Sequence, residues 1–326
     1  MKDATIEIIS EVRAHPNADR LDIVKILGFQ CVAQKGLYVG GEKIVYIRPD
    51  SVLPFEKWTE EYRKYSLKRV KAVKLRGIFS EGIIVPFEIL PIDLSSNEVG
   101  MDVSEIIGVI HYEPPAPQDL QAKGGLPKSI PATDEERFEN LINKLPFEEI
   151  VDVTLKVDGQ SCSFYYDNET DEFGVLGRRL EMKPYASNNY TAHIDRYNIK
   201  NKLIDYCKKH NLSLCIRGES YGQGIQGLTN NPHSQQPKGW VMFSVYDIRD
   251  RKYYRKGEQH YFKNVAQELD IPHVEILEED VLLTDGLISH YSFIIDKING
   301  KPFEGVVVNH PNGTFKIINK DYDSKK

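Results

Sequence analysis

The residues whose types and spacing could do chemistry begin with Lys156-Val157-Asp158-Gly159, which follows the largely apolar stretch 150–155. A lysine amine that has lost its proton is a nucleophile, and a neighbouring carboxylate can bind a cation. The glycine favours a turn directly after them. Taken alone, this tetrapeptide is more typical of a charged strand end followed by a turn, so its interpretation depends on the rest of the chain.

Further along the chain, charged residues recur beside apolar segments. Glu219 follows the apolar stretch 214–216, Glu304 precedes a run of valines, and Lys316 lies inside an apolar segment. A buried ammonium group without a partner is costly, so such a lysine needs an explanation. An aromatic segment, 243–248, lies between the two glutamates. Along the chain, these residues therefore occur in the order lysine, glutamate, aromatic, glutamate and lysine.

This order resembles the covalent nucleotidyltransferase superfamily, which includes ATP-dependent DNA ligases, RNA ligases and mRNA capping enzymes. In that superfamily the lysine of the first motif forms a phosphoramidate with AMP or GMP. The resemblance implies Lys156 as the catalytic residue. It also implies a nucleotide-binding set, which comprises Lys156, Asp158, Gly159, Arg178, Glu219, Phe243, Tyr246, Glu304 and Lys316.

Three further segments, 126–137, 177–179 and 222–227, are similar to RNA ligase family 5, whose members are ATP-dependent and carry an N-terminal OB domain. Segment 15–21 resembles an OB-type tRNA-binding module. DNA ligases and capping enzymes carry the OB domain after the fifth motif, whereas here a strand-rich segment precedes Lys156. The expected function is therefore an ATP-dependent RNA ligase that joins 3′-hydroxyl and 5′-phosphate ends through lysyl-AMP and an AMP-capped RNA end.

Two alternatives remain open at this point. One is a DNA ligase or a capping guanylyltransferase of the same superfamily. The other is a non-catalytic RNA- or tRNA-binding protein that acts through its OB-type module. One departure also bears on the site, because the family often has a second lysine two residues after the position of Lys316, where this chain has Ile318.

The implied reaction explains why these residue types suit the site. The lysine amine has an ordinary pKa of about 10.4 and must lose its proton before it attacks ATP. A divalent cation, Mg²⁺ or Mn²⁺, would favour the neutral amine, and Asp158, Glu219 and Glu304 are its expected ligands. Lys316 would stabilise charge on the α-phosphate. An aromatic ring would stack on adenine, with Tyr246 slightly preferred over Phe243.

These residues must be positioned by strands and helices, and the pattern of strands and helices along the sequence predicts an α+β fold. Many short strands within 1–110 predict an OB-type β-barrel for RNA binding. A proline-rich linker is expected over 111–131, followed over 132–326 by an adenylyltransferase domain of antiparallel sheets with flanking helices, similar to an ATP-grasp ligase core. A capping-box pattern at 133–136 predicts a helix through about Leu145, and the polar tail 321–326 is expected to fray.

A basic segment between Arg63 and Arg76 contains no acidic residue. It predicts RNA contact through an OB-type groove, and its expected contacts, together with Arg178 in the second domain, are Arg69, Lys71, Lys74 and Arg76. The alternative is a basic strand edge that prevents strand pairing. His15, beside a proline, is more typical of a turn residue than of an RNA contact.

Composition limits the class of protein. The 326 residues carry a net charge of −6, which excludes a basic coat over the whole surface and requires a local patch for RNA. The longest apolar stretches are too short for a membrane span. The four cysteines, Cys31, Cys162, Cys207 and Cys215, lack CxxC spacing and predict buried thiols in the cytoplasm or another reducing intracellular compartment. RNA ends, in nicked duplex or single strands, are the expected partner of a monomer.

Overall fold

A computed structural model describes residues 2–64, 66, 68–112, 121–183, 185–225, 231–294 and 297–323. Three parts of these predictions lie outside the described residues: 113–120 of the expected linker, the last two residues of segment 222–227, and the last three residues of the tail. The chain forms two compact units. One contains the described residues between Met1 and Pro115 together with Phe138–Leu145, and the other contains those of Ala116–Arg137 and Pro146–Lys326.

The first unit is built almost entirely from short strands. It also contains helix α1 (Glu60–Arg63) and three short 3-10 helices (Lys57–Thr59, Phe87–Ile89 and Phe138–Leu141). Its strands are β1 (Ala4–Ile8), β2 (Glu11–Ala14), β3 (Leu21–Ile26), β4 (Phe29–Gln34), β5 (Lys43–Ile47), β6 (Ser51–Val52), β7 (Val73–Leu75), β8 (Ile78–Ser80), β9 (Ile83–Val85) and β10 (Ile110–His111). The sheet orders are β1-β5-β9 and β2-β3-β4, with the pairs β7-β8 and β10-β6.

Strand β5 shows how this unit encloses its core. Successive side chains of a strand point to opposite faces. Val45 and Ile47 pack into one apolar cluster, whereas Ile44 and Tyr46 pack into a second cluster that includes Phe29. All four of these β5 residues are fully buried. A strand covered on both faces is expected at the centre of a small closed or folded-over sheet.

The second unit contains two larger sheets and most of the helices. Its helices are α2 (Ala192–Tyr197), α3 (Ile199–His210), α4 (Phe262–Leu269), α5 (Asp285–Ser292) and α6 (Lys320–Asp323). Its strands are β11 (Ala122–Gly125), β12 (Glu136–Arg137), β13 (Ile150–Leu155), β14 (Gln160–Ser161), β15 (Ser163–Asp167), β16 (Glu172–Leu176), β17 (Leu180–Met182), β18 (Leu214–Tyr221), β19 (Gly239–Asp247), β20 (Lys252–Tyr253), β21 (Ile276–Leu282), β22 (Lys297–Ile298), β23 (Lys301–Pro302), β24 (Gly305–His310) and β25 (Gly313–Ile318).

The two large sheets of this unit carry the predicted site residues. One sheet has the order β11-β17-β16-β15-β18-β19-β20, with β14 also paired to β18. The other has the order β12-β25-β24-β13-β21. Neighbours are antiparallel except for the short parallel pair of β12 and β25. Antiparallel sheets with flanking helices agree with the expected α+β class.

The predicted helix from Thr133 to about Leu145 is wrong. Glu136–Arg137 forms β12 and pairs with Phe315–Lys316 of β25, and Phe138–Leu141 forms a 3-10 helix. Pairing with the last strand gives this backbone its hydrogen-bond partners, and tertiary pairing outweighs a local capping pattern. The domain boundaries 1–110, 111–131 and 132–326 stay predictions, although Phe138–Leu145 groups with the first unit.

The cysteines and the C-terminal tail also differ in how well they match the predictions from sequence. All four cysteines are buried free thiols, as predicted. The tail was expected to fray from Asp321 onward, but α6 continues to Asp323 and Tyr322 is only 1% exposed. Among the helices of the described ranges, none is both long enough and apolar enough to cross a membrane.

Candidate active site

The ends of two paired strands bring Lys156 and Glu304 together. β13 and β24 are antiparallel, with Leu155 opposite Val306, so the residue that follows β13 lies beside the residue that precedes β24. The backbone N–H of Lys156 donates to the carbonyl of Gly305 at 3.0 Å. The side chains then meet, and Lys156 Nζ lies 2.9 Å from Glu304 Oε2. Residues 148 positions apart in sequence thus form one ion pair.

Gly159 brings the other sheet close to this ion pair. The turn at Gly159 leads into β14, where Ser161 pairs with Glu219 of β18. A Cβ at position 159 would lie 2.3 Å from the carbonyl oxygen of Ser220 and 3.0 Å from Glu219 Cγ. Only glycine permits this approach of two backbones. The glycine of the first motif is therefore required to place β18, and with it Glu219, next to Lys156.

The charges in this region perturb each other strongly. Burial lowers the pKa of Lys156, but the charges of Glu304 and Glu219 and the hydrogen bond with Glu304 outweigh burial and hold the pKa above its usual value. Burial raises the pKa of Glu219, the Lys156 ammonium lowers it, and the charges of Glu304 and Asp158 raise it again, to about 8. One amine therefore balances several carboxylates, so the cluster is short of positive charge.

Asp158 is buried and held at both its side chain and its backbone. The hydroxyl of Tyr322 donates a hydrogen bond to Asp158 Oδ2. The side-chain amide of Asn231 donates to the backbone carbonyl of Asp158 at 2.9 Å. Neither partner was identified from the sequence, because both are far from the motif along the chain and nothing in their local pattern distinguishes them.

Lys316 and Arg178 both contact Asp134, a residue of the capping-box pattern 133–136. Asp134 Oδ1 accepts from Lys316 Nζ at 2.9 Å, and its Oδ2 lies 3.5 Å from an Arg178 guanidinium nitrogen. Burial raises the pKa of Asp134, but Lys316, Arg178 and Lys156 outweigh it and hold the pKa below the usual value. The parallel pairing of β12 with β25 explains this position, because it sets residues 136 and 137 opposite residues 315 and 316.

The two aromatic candidates of β19 differ in exposure. Tyr246 is only 4% exposed and packs edge-on against Tyr253, with ring centroids 4.9 Å apart. The guanidinium of Arg217 lies 5.6 Å from the Tyr246 ring centre. Phe243 is partly exposed and lies where the pairing of β18 and β19 shifts register. Phe243 is therefore the more exposed of the two residues, whereas Tyr246 contributes mainly to the core.

The acidic residues suit a divalent cation by type, since Mg²⁺ and Mn²⁺ prefer oxygen ligands. Among the residues that the structure describes, no three His, Cys, Asp or Glu side chains form a group that could hold a metal directly. Glu304 is paired with Lys156, and Asp158 accepts from Tyr322. Asp158, Glu219 and Glu304 therefore lie within one charged cluster but do not form a ready-made inner coordination shell.

The expected RNA contacts of the first unit lie in and before a β-hairpin. Lys71, Lys74 and Arg76 are exposed, and the regular strand covers only Val73–Leu75, less than the segment that the sequence predicts. Arg69 instead pairs with an acid of its own unit, 3.2 Å from Asp50 Oδ1. The basic surface is thus a short exposed hairpin.

His15 belongs to the support of this hairpin. Its ring accepts from the backbone N–H of Asn17 at 3.0 Å, and Nε2 lies 3.1 Å from the carbonyl oxygen of Leu75. The residue is only 5% exposed. The interpretation of His15 as a turn residue is therefore confirmed.

Comparisons with known proteins identify the family of the second unit. A family model described as RNA ligase matches residues 149–324, which is more than half of the chain. The chain belongs to the RNA ligase family. A model of an OB-fold domain matches residues 3–87 of the first unit. The predictions of an RNA ligase with an N-terminal OB-fold domain are therefore confirmed, whereas no curated protein gives a significant sequence match.

Solved structures agree with this assignment over the whole chain. An arginine-to-alanine variant of Naegleria gruberi RNA ligase with ATP and Mn is 27% identical, with a TM-score of 0.83, covering 99% of this chain and 98% of that chain. The same ligase with PPi is 28% identical, again with a TM-score of 0.83 and the same coverage. A lysine-to-methionine variant with AMP and Mn is 27% identical, with a TM-score of 0.85, covering 100% of this chain and 99% of that chain.

Proposed function

We propose that Lys156 is the nucleophile of this ATP-dependent RNA ligase and becomes bonded to AMP. The observation that carries the proposal is the contact of Lys156 with Glu304 at the meeting point of two strand ends, beside Glu219. This amine lies in a cluster of acids that is short of positive charge, where ATP and a cation can bind. Structures of the similar Naegleria gruberi ligase with ATP, AMP, PPi and Mn support the same chemistry.

The first step forms a bond between Lys156 Nζ and the α-phosphorus of ATP as the bond from that phosphorus to pyrophosphate breaks. The amine must first give its proton to solvent, and Glu304 and Glu219 oppose this because they stabilise the ammonium form. Asp158, Glu219 and Glu304 would hold a divalent cation, Mg²⁺ or Mn²⁺. Such a cation would neutralise these acids and the α-phosphate, which lowers the pKa of the amine.

Lys316 and Arg178 are proposed to bind phosphate oxygens. In the structure both side chains contact the carboxylate of Asp134, which occupies the place of an anion between them. Phosphate oxygens suit the same two cations, and arginine offers paired donors to them. ATP or the RNA 5′-phosphate would therefore exchange with Asp134 for these side chains.

Phe243 is proposed to stack on adenine, since it is partly exposed and Tyr246 is buried. This choice reverses the slight preference for Tyr246 that the sequence analysis expressed. Tyr246 remains a support of the site through its contact with Arg217, whose guanidinium donates to the carbonyl of Pro131 at 2.6 Å.

The later steps transfer AMP from Lys156 to an RNA 5′-phosphate, after which a 3′-hydroxyl attacks and AMP leaves. We propose that the exposed hairpin residues Lys71, Lys74 and Arg76 bind the RNA backbone. Arg69 has a weaker claim, because Asp50 already neutralises it. A monomer in the cytoplasm remains our expectation, supported for the compartment by the four buried free thiols.

Mass spectrometry of the full chain tests the first step directly. After incubation with ATP and Mn²⁺ or Mg²⁺, we expect the mass of one AMP to be added and mapped to Lys156. Lys156→Ala should abolish the addition. Labelling by GTP alone would indicate a guanylyltransferase instead, and joining of nicked DNA but not of RNA ends would contradict the proposed substrate.

A further inference from the structure

The short helix α6, which follows the last strand, reaches the first motif. Tyr322 of α6 is 1% exposed, and its hydroxyl donates to the carboxylate of Asp158, 164 positions earlier in the chain. A hydrogen bond from a hydroxyl to a carboxylate is stronger than one between neutral groups. The bond therefore restricts the orientation of the Asp158 side chain.

Asn319 fixes the start of this helix to the strand end that carries Glu304. Asn319 is fully buried, and its backbone N–H donates to the carbonyl of Glu304 at 2.9 Å. Its side-chain amide donates to the carbonyl of Phe303 at 3.1 Å. Its side-chain oxygen accepts from the backbone N–H of Asp321 at 3.1 Å, and its backbone carbonyl accepts from Tyr322 at 3.1 Å.

These contacts form a continuous path between two acids of the site. The path runs from the backbone of Glu304 to Asn319, then to Tyr322, and from its hydroxyl to Asp158. Asn231 holds the backbone of Asp158 independently, at 2.9 Å. The Tyr322 hydroxyl therefore links the carboxylate of Asp158 to the element that is bonded to Glu304.

We infer that Tyr322 is a positioning residue for adenylation, acting through Asp158. The inference rests on the proposed function of Lys156 as the nucleophile and of the acids as holders of a cation. Partners that orient a metal-binding carboxylate commonly affect metal affinity or activity by 10-fold or more. The hydroxyl of Tyr322 should therefore affect the use of the cation and the rate of lysyl-AMP formation more than the binding of ATP.

The test is the variant Tyr322→Phe in the full chain, which keeps the buried ring and removes the hydroxyl alone. We expect a rate constant for lysyl-AMP formation that is about 10-fold lower. The Mn²⁺ concentration that gives half-maximal labelling should rise several-fold, while KM for ATP changes less than about twofold. A role in stability alone would lower the melting temperature and leave both the Mn²⁺ dependence and the rate per folded molecule unchanged.

Tyr261→Phe is the matched control. Tyr261 is also buried, and its hydroxyl donates to the buried Asp152, which lies outside the proposed site. If Tyr322→Phe labels Lys156 at the wild-type rate and Mn²⁺ dependence, or loses no more activity than Tyr261→Phe, the inference is wrong while the proposed function stands. If the wild-type chain itself gains no AMP on Lys156, the proposed function fails, and the inference with it.

Discussion

In the proposed mechanism, Lys156 carries the proton that must be removed before adenylation. Glu304 and Glu219 outweigh the effect of burial and hold the pKa of this amine above its usual value. The same acids are the groups that would hold a divalent cation. Binding of a cation would therefore have two effects. It would neutralise the negative charge of the acids, and it would remove their stabilisation of the ammonium form of Lys156. This coupling would prevent an active nucleophile from forming before the nucleotide site is loaded.

Glu219 gives a prediction about stability and pH. Its pKa in the folded chain is about 8, above the usual 4.5, so the folded state binds this proton more tightly than the unfolded state does. The stability that the protonated acid contributes is present below about pH 4.5 and is lost as the pH rises to about 8. Glu219→Gln should remove this loss of folding free energy, which amounts to as much as about 5 kcal/mol.

Urea unfolding at pH 5 and pH 9, without metal or nucleotide, measures the difference. We expect the advantage of Glu219→Gln over wild type to grow with pH. Glu11→Gln is a control, because the pKa of Glu11 is lowered by its hydrogen bond to Lys25, and its effect is confined to more acid pH. An advantage of Glu219→Gln that is equal at both pH values would contradict the pKa shift of Glu219.

Strand ends are the elements that assemble the site. β13, β24 and β25 are neighbours in one sheet, and β18 belongs to the other. The sequence predicts strands over 150–156, 305–309 and 313–318. The observed β25 has these bounds, and β13 and β24 differ from them by one residue. Strands with continuous apolar side chains can be read from sequence because burial on both faces leaves little room for polar residues.

Gly159 lies directly against β18, and this contact gives a prediction at the scale of the element. Gly159→Ala should force β14 away from β18, because the added Cβ would meet the carbonyl oxygen of Ser220 at 2.3 Å. We expect a loss of roughly 1–3 kcal/mol in unfolding free energy and a larger loss of lysyl-AMP formation. Chemical unfolding and AMP labelling measure the two effects.

Gly124→Ala is the corresponding control in β11. A Cβ at Gly124 would meet nothing within 4 Å, so this substitution should leave both stability and labelling close to wild type. Wild-type labelling by Gly159→Ala would show that the approach of β14 to β18 does not position the nucleophile.

Elements without a clear pattern of apolar residues could not be predicted from the sequence. β21 contains the run Glu278-Glu279-Asp280, and its partly exposed side chains show no regular alternation. It forms because it pairs with β13 at the edge of the sheet. The sequence also predicts one helix over 195–209, but two helices are found, because the left-handed backbone of Asn198 separates α2 from α3. Both outcomes depend on partners that a local window of sequence does not contain.

At the scale of the whole molecule, the two proposed roles, adenylation and RNA binding, fall in different compact units. The charged cluster around Lys156 lies within the second unit, and the exposed basic hairpin lies within the first. Because net charge is −6, RNA attraction must come from such local surfaces rather than from the overall field. This division predicts that RNA binding can be weakened without loss of adenylation.

The variant Lys71→Gln/Lys74→Gln/Arg76→Gln tests this division. Three lost phosphate contacts should lower the slope of log affinity against log salt by about 2 and weaken binding to single-stranded RNA about 10-fold or more. Labelling of Lys156 by ATP should stay within about twofold of wild type. RNA binding at several salt concentrations and AMP labelling measure the two properties.

Lys200→Gln/Lys208→Gln/Lys209→Gln removes the same amount of charge from α3 and should leave the salt slope unchanged. An equal loss of RNA affinity in both triple variants would mean that net charge, and not the hairpin, determines binding.

The sequence by itself determined the family, the order of the charged motifs, the nucleophile that we propose and most strands of the catalytic sheets. These are local features, since a lysine, a carboxylate or an apolar run is recognisable wherever it lies in the chain. The tertiary structure decided the partners. Asp134 joins Lys316 to Arg178, and Tyr322 orients Asp158, across separations as large as 182 residues. The sequence around Asp134 predicts a helix cap, and the sequence around Tyr322 predicts a frayed tail. Both predictions fail because the energy that places these two residues comes from contacts made only after the strands have paired.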